Sequence, residues 1–313
     1  MIKYIFKRLL LGVVTLFILA TITFFGMHAM PGSPFTQDNK VLSAETYAAM
    51  EAKYGLDKPV GEQYVIYLKN ALHGDFGESI SKKGQQVSSI IVQRFPVTAQ
   101  LGVIAFAFSM IFGISFGIIS ALTKHRWVNS LITVMATLGV SIPGFLLAMM
   151  LMILFGVKLG WLPIVGLSDW KSYIMPSLAL SFGALSTVTR LTRSSLRDVM
   201  GSDYITLARS KGTKEIWVII KHGLKNALLP VITYAGPMFA SLITGSLVIE
   251  TLFSIPGIGK EFTSSISNRD YTLCMGLTIF FGLLVIIMNL VSDIAAAIVD
   301  PRIKLGKYVN IDE

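Results

Sequence analysis

Apolar residues in this chain gather into long stretches instead of alternating with polar ones at the spacing of a soluble helix or strand. Six stretches approach the ~20 residues that rise about 30 Å as a helix and cross a hydrocarbon core: 9–27, 97–122, 128–155, 174–191, 227–249 and 275–299, the fourth being the weakest. The pattern predicts an all-α polytopic membrane protein with six transmembrane helices. Breakers interrupt several stretches, as at Ser141-Ile142-Pro143-Gly144 and Gly236-Pro237. A bilayer tolerates them where neighbouring helices satisfy the freed backbone groups, so a packed bundle with kinked members is expected. Gly113 and Gly117, four apart, would let two helices approach closely. The start, with Lys3, Lys7 and Arg8 ahead of an apolar run, imitates a secretory signal. That run outlasts the ~7–15 residues of a signal core, which favours an uncleaved first span.

Two polar intervals have helical punctuation of their own. In 31–95, Ser43 is placed to cap a helix over 44–54 with Gly55 as its stop. A second helix opens at Pro59 and closes before Gly74. Its residues Val60, Tyr64, Tyr67, Leu68, Ala71 and Leu72 share one face, suited to a lid on the bundle, to docking an external partner, or to both. In 192–226, Asp203 is placed to start a short helix and Gly212 to end it, with Arg209 and Lys211 in the last turn where they complement the dipole. A short helix held between two spans could transmit a rigid-body push. On charge alone the loop is equally a basic segment near anionic lipid.

Composition agrees with the spans. Of 313 residues 53% are apolar and 14% charged, against about 25% charged in ordinary globular chains, and mean hydropathy is +0.66. A single cysteine, Cys274, excludes a disulfide framework within the chain. The formal charge of +9 gains meaning from its placement. If the N-terminus is cytoplasmic, segments 1–8, 123–127, 190–226 and 300–313 are too, and they hold 16 of the 27 Lys and Arg. The opposite side sums to zero, which is the positive-inside pattern. Nucleic acid is therefore not an expected partner. The expected organisation is 1–30 (N-terminal end and first span), 31–95 (extracytoplasmic helical segment), 96–299 (core with loop 192–226) and 300–313 (cytoplasmic tail).

Catalytic and metal chemistry is absent from the pattern. Gly257-Ile258-Gly259-Lys260-Glu261 lacks the glycine spacing and the hydroxyl of a phosphate loop. His28, His73, His125 and His222 show no metal-ligand spacing. Gly139-Val140-Ser141-Ile142-Pro143 departs from a nucleophile elbow at its fifth residue, and a kink explains it better. Candidate path or gating residues are Pro143 at that kink, Glu250 at the end of the fifth span, and Asn289 and Asp293 in the sixth. Snorkelling or an interhelical hydrogen bond suits Asp293 better than a proton relay. So few buried charges argue against an ion-coupled transporter, and a polytopic enzyme lacks a catalytic cluster.

The string Asp203-Tyr204-Ile205, Ala208-Arg209, Lys211-Gly212, His222, Asn226-Ala227-Leu228 and Pro230 resembles the cytoplasmic signature of permease subunits in ATP-binding-cassette importers, in their peptide and nickel branch. So do Glu250 through Gly259, Asn268-Arg269-Asp270-Tyr271, Asp300-Pro301-Arg302-Ile303, Ala29-Met30-Pro31-Gly32, Tyr54-Gly55-Leu56-Asp57-Lys58-Pro59, Gly74-Asp75-Phe76-Gly77 and Leu159-Gly160-Trp161-Leu162-Pro163. The long interval after the first span resembles the B-type permeases of oligopeptide and dipeptide systems. The resemblance implies a type I importer permease fold and a non-catalytic subunit that moves oligopeptides, dipeptides or nickel chelates by alternating access. It implies a bacterial or archaeal cell membrane, with both termini cytoplasmic. Partners would be a second homologous permease in a heterodimer, two cytoplasmic ATPases and an extracytoplasmic peptide-binding protein. ATP and Mg would be bound by the ATPases, with no cofactor in this chain. Asp203, Tyr204, Ala208, Arg209, Lys211 and Gly212 would form the coupling helix.

Overall fold

A computed structural model describes residues 2–35 and 43–299. The tail 300–313, with Asp300-Pro301-Arg302-Ile303, lies outside the described residues. The elements in order are α1 (Ile2–His28), α2 (Ala44–Tyr54), α3 (Val60–Leu72), α4 (Val87–Leu122), α5 (Arg126–Ser141) and α6 (Gly144–Leu151). There follow α7 (Ile174–Met200), α8 (Asp203–Ser210), α9 (Glu215–Trp217), α10 (Lys225–Ala227), α11 (Leu229–Leu252), α12 (Ile258–Ser267) and α13 (Tyr271–Val299). Among the described residues the one extended pairing outside helices is an isolated antiparallel bridge between Glu78 and Gln86.

Among the described residues five helices, α1, α4, α7, α11 and α13, are long and apolar enough to cross a membrane. The expected third span is not one kinked helix. It is two, α5 and a helix from Gly144 to Lys158, bent by 108°. Ile142, just before Pro143, is extended at φ −85° and ψ 121°, because the proline ring disfavours α-helical backbone at the preceding residue. Two other boundaries also differ from expectation. Helix α4 begins ten residues before 97 and passes Pro96, so it runs through the boundary at 95/96. Helix α7 continues to Met200, which leaves 201–228 as the loop instead of 192–226.

Contacts gather the chain into two compact units. The first comprises Ala99–Ile255 with the described parts of Met1–Arg8 and Val285–Glu313, and α7 is central to it. Half of the most apolar window of this helix is buried, the largest share among the five. That explains its weak hydropathy: it faces protein more than lipid. Ser181, Ser186, Thr189 and Thr192 are buried along it. A Cβ at Gly113 would lie 2.8 Å from the Val188 Cβ, and one at Gly117 would lie 2.5 Å from the Thr192 Cβ. The glycine pair thus lets α4 lie directly on α7. In α11, Pro237 has no N–H for the carbonyl of Thr233, four residues earlier. Ser292 on α13 supplies the missing donor, its Oγ lying 2.8 Å from Thr233 O and 3.1 Å from Ile232 O.

The second unit comprises Leu9–Thr98 and Pro256–Leu284. Ser43 caps α2 through its side chain, and Gly55 ends it at φ 67°, both as expected. Helix α3 packs Tyr64, Tyr67 and Ala71 against Phe24 and Met275, whereas Val60 and Leu72 of the expected face are exposed. The buried carboxylate of Asp270 holds the unit together. It accepts hydrogen bonds from Ser79 Oγ (2.5 Å), Ser81 Oγ (2.7 Å), Ser81 N (2.9 Å) and Ile80 N (3.1 Å). It also caps α13 through Leu273 N (3.1 Å). Glu261 is bridged by Lys82 and, at 3.3 Å, by Arg94. Arg269 Nε donates to Pro31 O at 2.9 Å, so two motifs of the sequence meet 238 residues apart.

Replacing Asp270 by Ala orphans several buried donors and removes a cap, a combined loss of about 3 kcal/mol or more. The midpoint of thermal unfolding of the detergent-purified protein is expected to fall clearly for this variant. Asp75→Ala, which removes one exposed bond to Gly77 N, should leave the midpoint nearly unchanged.

Candidate functional site: the loop helix and the membrane cavity

The loop after α7 is tied down at each end. Ser202 stands at the cap position of α8 with Asp203 as first helical residue, but the Ser202 hydroxyl donates back to Val199 O at 2.6 Å. At the other end Gly212 takes φ 74°. Its N–H bonds Arg209 O at 2.9 Å while Thr213 N bonds Ala208 O at 3.3 Å, the paired closure that a left-handed glycine permits. Ile205 and Ala208 are buried with Val218 and pack on Val199 and Met200. Asn226 Nδ2 donates to Tyr204 Oη at 2.9 Å.

Arg209 grips Glu215 with two bonds, Nε to Oε2 at 3.0 Å and a terminal guanidinium nitrogen to Oε1 at 2.7 Å. That hydrogen bonding raises the Arg209 pKa and holds the Glu215 carboxyl below its usual range. The bracing is therefore complete above the ordinary glutamate pKa and is lost as pH falls through the lowered one.

Of the expected contact residues, Ala208 thus fills the core of the loop, while Arg209 braces it from an exposed position. Asp203, Tyr204, Lys211 and Gly212 are exposed. Beside them stand Leu207, Ile216 and Trp217, each 56% exposed. Those three were legible as apolar residues stranded in a polar loop, a signal that the charges overshadowed.

Within the same unit, α5, α6, α7 and α11 enclose a cavity of about 540 Å³. Pro143, Thr187, Tyr234, Ser241, Gly245 and Ile249 contribute to its wall, which carries no ionisable acid or base other than the Tyr234 phenol. Of the four path candidates only Pro143 reaches it. Glu250 is fully buried, with Ser246 Oγ 2.7 Å from its Oε1, and is absent from that wall. Asp293 pairs with Arg8 of α1 at 2.9 Å, an interhelical ion pair. The buried amide oxygen of Asn289 has no hydrogen-bond partner among the described residues, and Asn289 is absent from the cavity wall. Among the described residues no three His, Cys, Asp or Glu side chains converge as a metal site requires.

Comparison with known proteins gives this arrangement a context. Residues 113–305 match the family described as binding-protein-dependent transport system inner membrane component. Residues 1–102 match the N-terminal membrane component of the same systems. The oligopeptide transport system permease protein OppB of Haemophilus influenzae is 43% identical over 307 residues, covering 97% of this chain and 100% of that protein. The dipeptide transport system permease protein DppB of Lactococcus lactis is 42% identical over 305 residues, covering 97% and 100%. Among solved structures, an inward-facing conformation of the MetNI methionine ABC transporter superposes with a TM-score of 0.55 at 17% identity, covering 67% of this chain and 96% of that one. Such a likeness establishes the fold, that of type I importer permeases. The chain belongs to the family of binding-protein-dependent transport system inner membrane components, as a multi-pass, non-catalytic permease subunit of an ABC importer.

Proposed function

We propose that this chain is one of two homologous permeases in an importer of oligopeptides, paired as a heterodimer and driven by two cytoplasmic ATPases. An extracytoplasmic binding protein delivers the cargo, and the ATPases bind ATP and Mg. The observation that carries the reading is the braced loop with its exposed apolar group, Tyr204, Leu207, Ile216 and Trp217, on a member of an importer family. A loop fixed by the Arg209–Glu215 and Asn226–Tyr204 contacts moves as a body with α7, whose other face lines the cavity. Closure of the ATPases would push α8, and α7 would carry that motion to the cavity, alternating its access. Oligopeptides are favoured over dipeptides because relatives of the former name match at 43% identity and those of the latter at 42% and 40%, and the size and neutrality of the cavity suit variable side chains.

Placement of the basic segments supports cytoplasmic termini and a cytoplasmic α8, with α2 and α3 outside. Cysteine labelling tests that topology. Ser79 is buried on Asp270 and unsuited to labelling, but Lys83 and Lys214 are exposed. A cysteine at 83 is expected to react in intact cells and one at 214 only after permeabilisation, and reaction of both from one side would overturn the orientation.

Uptake tests the function itself. The assembly that co-purifies with this chain, reconstituted in liposomes, should take up pentapeptides and longer peptides only when ATP is supplied to the ATPases. Uptake under an ion gradient without ATPases would refute it. Gly212→Val puts a β-branched residue at positive φ, a strain on the order of 1–3 kcal/mol. With Leu207→Ser and Trp217→Ser it should leave membrane insertion intact and uncouple ATP turnover from cargo. Normal cargo-stimulated turnover in all three variants would remove the coupling role of the loop.

A further inference from the structure

Beyond the neutral cavity, α7 carries three arginines on one face. Arg190, Arg193 and Arg197 follow the i, i+3, i+7 spacing that stacks side chains along a helix, and together they line a second cavity of about 650 Å³. Val140 and Thr187 belong to the walls of both cavities, so the two adjoin along α7. Arg193 is held by a hydrogen bond to Thr133 Oγ1 at 2.8 Å. None of the three forms an ion pair among the described residues. The single carboxylate in the wall, Asp198, leaves an excess of two positive charges. A positive-inside bias accounts for basic residues at this end of a span but is indifferent to helix face. It does not gather three of them around one hollow that adjoins the cavity.

We propose that this arginine face receives the C-terminal carboxylate of the peptide as cargo leaves the neutral cavity. The inference rests on the peptide-import reading. A carboxylate is the one anionic group shared by every unmodified peptide whatever its sequence, so it is a handle that demands no side-chain selectivity. Guanidinium groups match it as paired donors. Seven residues of helix rise about 10 Å, giving three stations close enough for the carboxylate to pass from one to the next. Several weak sites in series let cargo enter and still leave, where one tight site would trap it. A lipid phosphate presents similar anionic oxygens, but the wall shared with the uncharged cavity favours cargo.

The test uses the complete reconstituted assembly and two peptides of one sequence, a free acid and a C-terminal carboxamide. Arg193 is left intact because of its bond to Thr133, and Arg190→Gln with Arg197→Gln removes the two exposed stations. Because the binding protein is common to both assemblies, the ratio of variant to wild-type uptake isolates the permease. Uptake of the free acid is expected to fall about tenfold, as for loss of a charge-assisted hydrogen bond, with amide uptake unchanged, which also shows that the variant is folded. Arg190→Lys with Arg197→Lys should recover part of the loss. An equal fall for both peptides, or no fall for either, would overturn the proposal. So would a fall that follows the anionic lipid content of the liposomes whatever the peptide terminus, since that assigns the face to headgroups. If the wild-type assembly moves neither peptide, the peptide-import reading fails first, an outcome distinct from the others.

Discussion

In a bilayer every backbone polar group must find a partner inside the protein, and much of this chain follows from how that demand is met where helices break. Pro237 leaves the Thr233 carbonyl without its helical donor, and the Ser292 hydroxyl of α13 takes the place. The same demand lets α7 be rich in Ser and Thr. Its hydroxyls lie among other helices instead of lipid, and the glycines of α4 bring one of those helices into contact. A polar helix enclosed by apolar ones can be lined by a hollow on the face left open, and the neutral cavity occupies such a face.

Much of this was legible from residue order. Ser43 and Gly55 are local signals, and local signals fixed both ends of α2. Gly212 closed α8 for the same reason. Helix α7 was the least visible span because its hydropathy reports burial in protein, a property of its neighbours. Pro143 announced a break but not an angle of 108°, since that angle depends on what α6 packs against. Asp293 was recognisable as an anomaly in an apolar run, yet its partner Arg8 lies 285 positions away in sequence. Asp270 looked like one residue of a motif, and nothing near it in the sequence hinted at the loop 79–81 it would bind.

The loop 201–228 illustrates a division of labour among residues of one signature. Some of its members, Ala208 and Arg209, make the loop stiff. Others, Asp203 and Lys211, are on its surface. A signature read as a contact list merges these roles. Stiffness and contact fail differently, since a flexible loop can still dock without transmitting force. Charge drew attention to the segment, while the apolar side chains provide most of the surface that could be buried against a partner.

The staple at Asp270 also dictates an order of events. The residues it holds, 79–81, leave the ribosome about 190 positions before Asp270 does. At roughly 5–20 residues per second, the early segment waits on the order of ten to forty seconds for the group that fixes it. During that time Ser79, Ile80 and Ser81 must stay hydrated or be shielded by other molecules. Biogenesis of this unit is consequently gated by the arrival of Asp270, about six-sevenths of the way along the chain, and a chain truncated before Asp270 would lack the staple however complete its earlier spans.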